Sequence, residues 1–172
     1  MKNYHVASQV TAEFNSSLER AFKTVLLGDA THYINVCSIL PPVVGFTHHL
    51  TWGKEGGTRI PLTSGNFFVK KGELCDDIIL KRVENTYWKW RIYNFRTKAL
   101  FFATKAEGEF FFEENTNGAI SIKWMYTFYS KNKFTLPLTF LFTKLVWHRF
   151  QKKVIQKMKM MAEAGLPYAY TT

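Results

Sequence analysis

A chain of 172 residues with 17% aromatic side chains and a formal net charge of +10 fits one domain spanning 1–172, able to bury roughly 70% of its unfolded surface around a core or a walled cavity. No apolar run reaches the ~20 residues of a membrane-spanning helix, and MKNYHVASQV has no apolar stretch behind its lysine, so no secretory signal is read there. Cys37 and Cys75 stand in no metal-binding or redox spacing, which points to reduced thiols in a cytoplasmic protein that needs neither metal nor cofactor.

Residues 4–14, YHVASQVTAEF, alternate as a strand does, with Val6, Ser8, Val10, Ala12 and Phe14 on one face. NSSLERAF opens a helix. Asn15 or Ser16 can cap it, and Glu19 stands in capping-box position to Ser16. The helix should stop near Gly28, with a second short helix through Asp29–Asn35 that Pro41 and Pro42 prevent from extending. Six strand-like runs follow: VVGFTHHLTW, TRIPLT, ELCDDIILKRV, TYWKWRIYNF, ATKAEGEFFFEE and AISIKWMYTFYS, separated by turns such as GKEGG, SGN and NTNG. Such a series implies an antiparallel meander.

A long helix closes the chain. Thr135 can cap it, Pro137 is tolerated in its first turn and Gly165 terminates it; at 1.5 Å per residue it is roughly 40 Å long. At 100° per residue Leu136, Phe140, Thr143, Trp147, Phe150, Val154, Met158 and Met161 fall on one stripe that should meet the sheet. The opposite side changes character. Leu138, Leu141, Phe142, Leu145 and Val146 are followed by Arg149, Lys152, Lys153, Lys157 and Lys159. Lysines near a helix C-terminus suit the macrodipole. The apolar outer half requires cover from the domain's own loops, a second copy in a homodimer, or an anionic membrane surface. A tail of about 166–172 follows.

Aromatic residues recur on single strand faces: Trp88, Trp90 and Ile92; Trp124, Tyr126 and Phe128; Phe110 and Phe112 beside the small Ala106 and Gly108. With Phe140 and Trp147 from the helix they either enclose an apolar ligand or fill a solid core. His48 shares a strand face with Phe46, Leu50 and Trp52. Arg59 follows the glycine turn, and Asp76 or Asp77 sits on a neighbouring strand. An inward His48 near Arg59 or a carboxylate would serve as a polar anchor or a general base. His48 and His49 point to opposite faces and cannot share a metal. Tyr87, Lys89, Arg91, Tyr93 and Phe95 give one strand face the basic-aromatic pattern of single-stranded nucleic-acid binders; ordinary solvent-facing strands carry the same residues, and nucleic acid is the less favoured partner.

The order strand, two short helices, six antiparallel strands and a long C-terminal helix resembles the START-like, or SRPBCC, superfamily. That group includes birch-pollen-allergen-like, polyketide cyclase/dehydratase and Hsp90-activator-like proteins. The resemblance runs over nearly the whole chain and is carried by VTAEFNSSLERAF with Phe22 as anchor, GKEGGTRI, and IKWMYTFYSKN leading into the last helix. It implies an α+β helix-grip fold, a seven-stranded antiparallel sheet wrapped around the C-terminal helix. It also implies a cavity between sheet and helix for a hydrophobic or amphipathic small molecule or lipid. FNSS departs from the commoner pattern, in which Pro precedes the first helix. The expected lining is Trp88, Trp90, Trp124, Tyr126, Phe140 and Trp147, with His48 and Arg59 as polar anchors. Binding without catalysis is the leading expectation. A cyclase- or dehydratase-like enzyme with His48 as acid/base is one alternative. A membrane-surface or co-chaperone module using Arg149, Lys152, Lys153 and Lys157 is another.

Overall fold

The computed structural model describes residues 4–35, 39–48 and 50–165; Cys37, His49 and the expected tail lie outside them. Strand β1 (His5–Phe14) turns Val6, Ser8, Val10 and Phe14 inward, as its alternation requires. Helix α1 (Leu18–Leu27) is capped by Ser17, whose Oγ accepts a hydrogen bond from the Arg20 amide at 3.2 Å. The cap thus falls one residue after Ser16 and two after Asn15. The Asn15 amide is occupied by Glu163 Oε1 at 2.8 Å, and Glu19 pairs with Lys23 one turn on. The second helix reduces to a single 3₁₀ turn, Ala30–His32, capped by the Asp29 carboxylate on the Thr31 amide.

Strand β2 (Val43–Thr47) is half the length of the run VVGFTHHLTW, because His48 takes a left-handed backbone (φ 55°) and breaks the alternation. Trp52 is buried nonetheless, from within a turn, its indole N–H donating to the Leu26 carbonyl at 3.1 Å. Strands β3 (Thr58–Thr63), β5 (Asp76–Val83), β6 (Tyr87–Tyr93), β7 (Ala103–Glu114) and β8 (Ile120–Ser130) follow the remaining runs. The two-residue β4 (Gly72–Glu73) adds an eighth strand beside β3, too short to leave an alternation in the sequence. Every pairing is antiparallel, in the order β1-β8-β7-β6-β5-β3-β2.

The C-terminal helix has three parts: α2 (Leu136–Leu141), a π-helical turn (Phe142–Trp147) and α3 (His148–Glu163). The His148 amide donates five residues back to Thr143. That wider turn absorbs one residue, so positions upstream rotate by roughly one residue relative to a straight α-helix. Thr139 and Thr143 therefore face inward. Phe140, read from 100° spacing as part of the core stripe, is 51% exposed. The stripe holds downstream, where Phe150, Val154 and Met158 are buried. Between α1, the helix C-terminus and the lower sheet, Phe14, Phe22, Phe112, Ile120 and Ile122 pack as a solid core. No helix among the described residues is long and apolar enough to cross a membrane.

Candidate ligand-binding cavity

Above that solid layer the sheet and helix separate around a cavity of about 620 Å³. The alternation of three adjacent strands builds one wall. Trp88 and Trp90 come from β6, Phe110 from β7, and Trp124, Tyr126 and Phe128 from β8. Trp88 and Trp90 lie 4.4 Å apart between ring centroids and 19° from parallel, and Phe110 and Trp124 5.0 Å apart at 19°. Trp90 rests on the backbone of β7 at its cross-strand partner Gly108, where an added Cβ would stand 2.1 Å from the indole. The opposite wall comes from Phe142, Trp147, Phe150, Val154 and Met158 of the helix, with the Trp147 ring 4.4 Å from that of Tyr126. Loop residues Ile39–Pro41, Phe68 and Val69, Leu74, Phe95, and 97–100 extend the lining, as do Leu26 of α1 and Tyr33 after it.

One region of the lining is polar. Arg59 and Asp77 are register partners on β3 and β5, and Arg59 Nε donates to Asp77 Oδ2 at 3.1 Å. The guanidinium carbon lies 3.7 Å from the Trp52 ring centroid and 4.2 Å from that of Phe46, a cation–π clamp. Cys75 Sγ donates to Asp77 Oδ1 at 3.7 Å. Burial pushes the Asp77 carboxyl upward and the Arg59 charge pulls it back, with a net upward direction. The Cys75 thiol is pushed well up by burial and then by Asp77, so it is a neutral thiol and no activated nucleophile. Tyr126 is 2% exposed. Burial, with the nearby Asp77 and Cys75 adding to it and Arg59 opposing, drives its hydroxyl well above the ordinary tyrosine value.

Of the residues expected at the site, Trp88, Trp90, Trp124, Tyr126, Trp147 and Arg59 line the cavity together. His48 and Phe140 do not. His48 is solvent-exposed past the end of β2, where its left-handed backbone turns it off the strand face it was assigned to. The acid/base role that required an inward His48 loses its geometry. Phe142, expected on the outer side, takes the place expected of Phe140 because of the π turn. Cys75 was not anticipated at the site. Its period-two relation to Asp77 and Ile79 on a buried face is the signal that would have found it.

Arg149, Lys152, Lys153 and Lys157 are exposed on α3, as the pattern placed them. Leu138, Leu141 and Leu145 of the apolar half remain 40–53% exposed, so the described loops leave that face uncovered. On the outside of the sheet, Lys89 and Arg91 are engaged by Glu107 at 3.0 and 2.9 Å, which leaves little free charge for a phosphate backbone. Among the described residues no group of three His, Cys, Asp or Glu side chains is arranged for a metal ion.

A curved antiparallel sheet gripping a long C-terminal helix, with a cavity between them, defines the helix-grip fold of the START-like, SRPBCC type. Solved structures share it across their full lengths. A Thalictrum norcoclaurine synthase point mutant bound to a transition-state analogue matches with a TM-score of 0.69 at 8% identity, covering 97% of this chain and 99% of its own. Ara h 8.0201 matches at 0.62 and 11%, covering 93% and 99%. A Staphylococcus aureus protein of unknown function matches at 0.65 and 18%, covering 95% and 97%. At such identities the likeness concerns the fold. No family model and no curated protein matches the chain.

Proposed function

We infer that the protein binds a hydrophobic or amphipathic small molecule in this cavity, as a carrier or receptor in the cytoplasm and without turning it over. The carrying observation is the cavity itself. About 620 Å³ lies within the range of small-molecule sites, and aromatic walls with one polar cluster are how such sites hold a ligand. A filled aromatic core would have closed that space at native packing density. One solved neighbour, a norcoclaurine synthase point mutant, is in complex with a transition-state analogue, which supports small-molecule binding by a protein of this fold and is silent on turnover here. Catalysis is the weaker alternative, because among the titratable groups of the lining Asp77 is paired with Arg59 and Cys75 is a neutral thiol.

The test is titration with Nile red, an uncharged fluorescent probe, beside mass spectrometry of organic extracts of gently purified protein. One equivalent of probe should bind, and a Leu74→Trp substitution on the lining should reduce binding while circular dichroism stays native. Probe binding unaffected by Leu74→Trp, or no binding at all, counts against the cavity.

A second reading has its own observation. The uncovered Leu138, Leu141 and Leu145 lie beside the exposed Lys144 and continue into Arg149, Lys152, Lys153 and Lys157, the apolar-plus-basic combination of an interfacial helix. Sedimentation with vesicles containing phosphatidylserine should then weaken on the double change Lys152→Glu, Lys153→Glu. A monomer–dimer equilibrium in light scattering would assign the apolar face to a second copy instead.

A further inference from the structure

The cavity's polar cluster decides which headgroup it accepts. Its cation, Arg59, is already committed: Asp77 faces it at 3.1 Å, and the rings of Trp52 and Phe46 cover the guanidinium. The lining's other cation, Lys98, is solvent-exposed on the 97–100 loop, away from this cluster's register partners. The charge presented by the pair is close to zero. A ligand carboxylate or phosphate reaching Arg59 would have to displace Asp77, stranding a fully buried carboxylate, or else stay buried and unpaired itself. Both are costly, whereas a free buried arginine would have invited an anion. Tyr126, on β8 opposite the helix, is different. Its ring is held by Trp147 and Phe128, at 4.4 and 5.1 Å between centroids, and its side chain is fully buried. Tyr126 lines the cavity, and its hydroxyl makes none of the side-chain hydrogen bonds found among the described residues. A hydroxyl in a cavity wall without a protein partner is available to a ligand that supplies an acceptor or donor.

We propose that the cavity selects an uncharged amphiphile, one whose apolar body carries a hydroxyl or carbonyl placed on Tyr126, and rejects carboxylates and phosphates of the same shape because Asp77 neutralises Arg59. This rests on the ligand-binding reading of the cavity and adds the chemical class of the ligand to it. It also assigns Asp77 a specificity role: the residue sets the sign of the charge the cavity tolerates without touching an uncharged ligand.

The experiment compares 1-pyrenemethanol, 1-pyrenecarboxylate and pyrene by fluorescence titration at neutral pH, with 1-dodecanol and dodecanoate as an aliphatic pair. Wild-type protein should prefer each alcohol to its carboxylate by about tenfold or more, the cost of one buried unpaired charge even after partial solvation. Tyr126→Phe should erase the preference of pyrenemethanol over pyrene, and Asp77→Asn should narrow or reverse the preference of each alcohol over its carboxylate. If Asp77→Asn does not fold, the wild-type comparison and Tyr126→Phe, which removes a single oxygen, decide the matter. Carboxylates binding as well as alcohols to wild-type protein overturn the selectivity alone, with the cavity intact. Absence of binding by any of the five probes and by Nile red overturns the cavity reading as well.

Discussion

A glycine sets the shape of the aromatic wall. Trp90 can lie across β7 only because residue 108 has no side chain, since any Cβ there would enter the indole ring at 2.1 Å. Gly108→Ala should therefore tilt Trp90 off the strand and into the cavity, and the neighbouring Trp88 and Phe110 rings that stack against it should move with it. Overpacking of this kind costs about 1–3 kcal/mol, measurable by urea unfolding, and should also lower Nile red affinity. Combining Gly108→Ala with Trp90→Leu removes the clash, so the double variant should be more stable than the sum of the single losses. Additive losses would mean that Gly108 is there for its backbone and not for the ring.

Among elements, the C-terminal helix carries the most information and was the least legible. In the strands, period two determined which face each residue took, so the cavity wall of Trp88, Trp90, Trp124 and Tyr126 could be read from the sequence. Arg59 could be read too, from its place after a glycine turn. Helical periodicity failed at Phe140 because a π turn has no composition signature: FTKLVW reads as well in α geometry as in π. His48 failed for a related reason, a single left-handed residue inside an apparently continuous alternation. The Arg59–Asp77 pairing depends on the register of β3 against β5, which no local pattern reveals.

The π turn is also testable. Phe142 and Trp147, five residues apart, both face the cavity; removing the exposed Leu145 would place them four apart, still on one face of a regular α-helix. The deletion should leave thermal stability unchanged or raised while changing probe affinity, as expected where a wider turn serves a site. A loss of stability with native affinity would show that packing, not the cavity, requires the extra residue.

At the scale of the whole molecule, the outer face of the sheet ties the strands together with charge while the inner face is given over to the cavity. Glu107 on β7 stands at the centre. It accepts from Lys105 at 2.9 Å and pairs with Lys89 at 3.0 Å and Arg91 at 2.9 Å on β6, and Tyr129 of β8 donates to it at 3.3 Å. Burial alone would raise this carboxyl. The hydrogen bonds from Lys105, Lys89 and Arg91 outweigh burial and hold it at about 2, below its ordinary value of 4.5. A carboxyl depressed on folding stabilises the native state above its unfolded pKa, and that contribution is lost as pH falls toward the folded value. Part of the protein's acid sensitivity should thus fall between the ordinary carboxylate range and pH of about 2. Glu107→Gln should cost about 1–2 kcal/mol at neutral pH and flatten the stability profile across that interval, as followed by urea unfolding. The net charge of +10 grows as carboxylates protonate and opposes folding in acid through self-repulsion. That effect is common to wild type and variant, so the difference between their profiles isolates Glu107. Parallel profiles would move the acid sensitivity to Asp76, whose carboxyl is also held low by Asn94 and Arg96 against the upward push of burial.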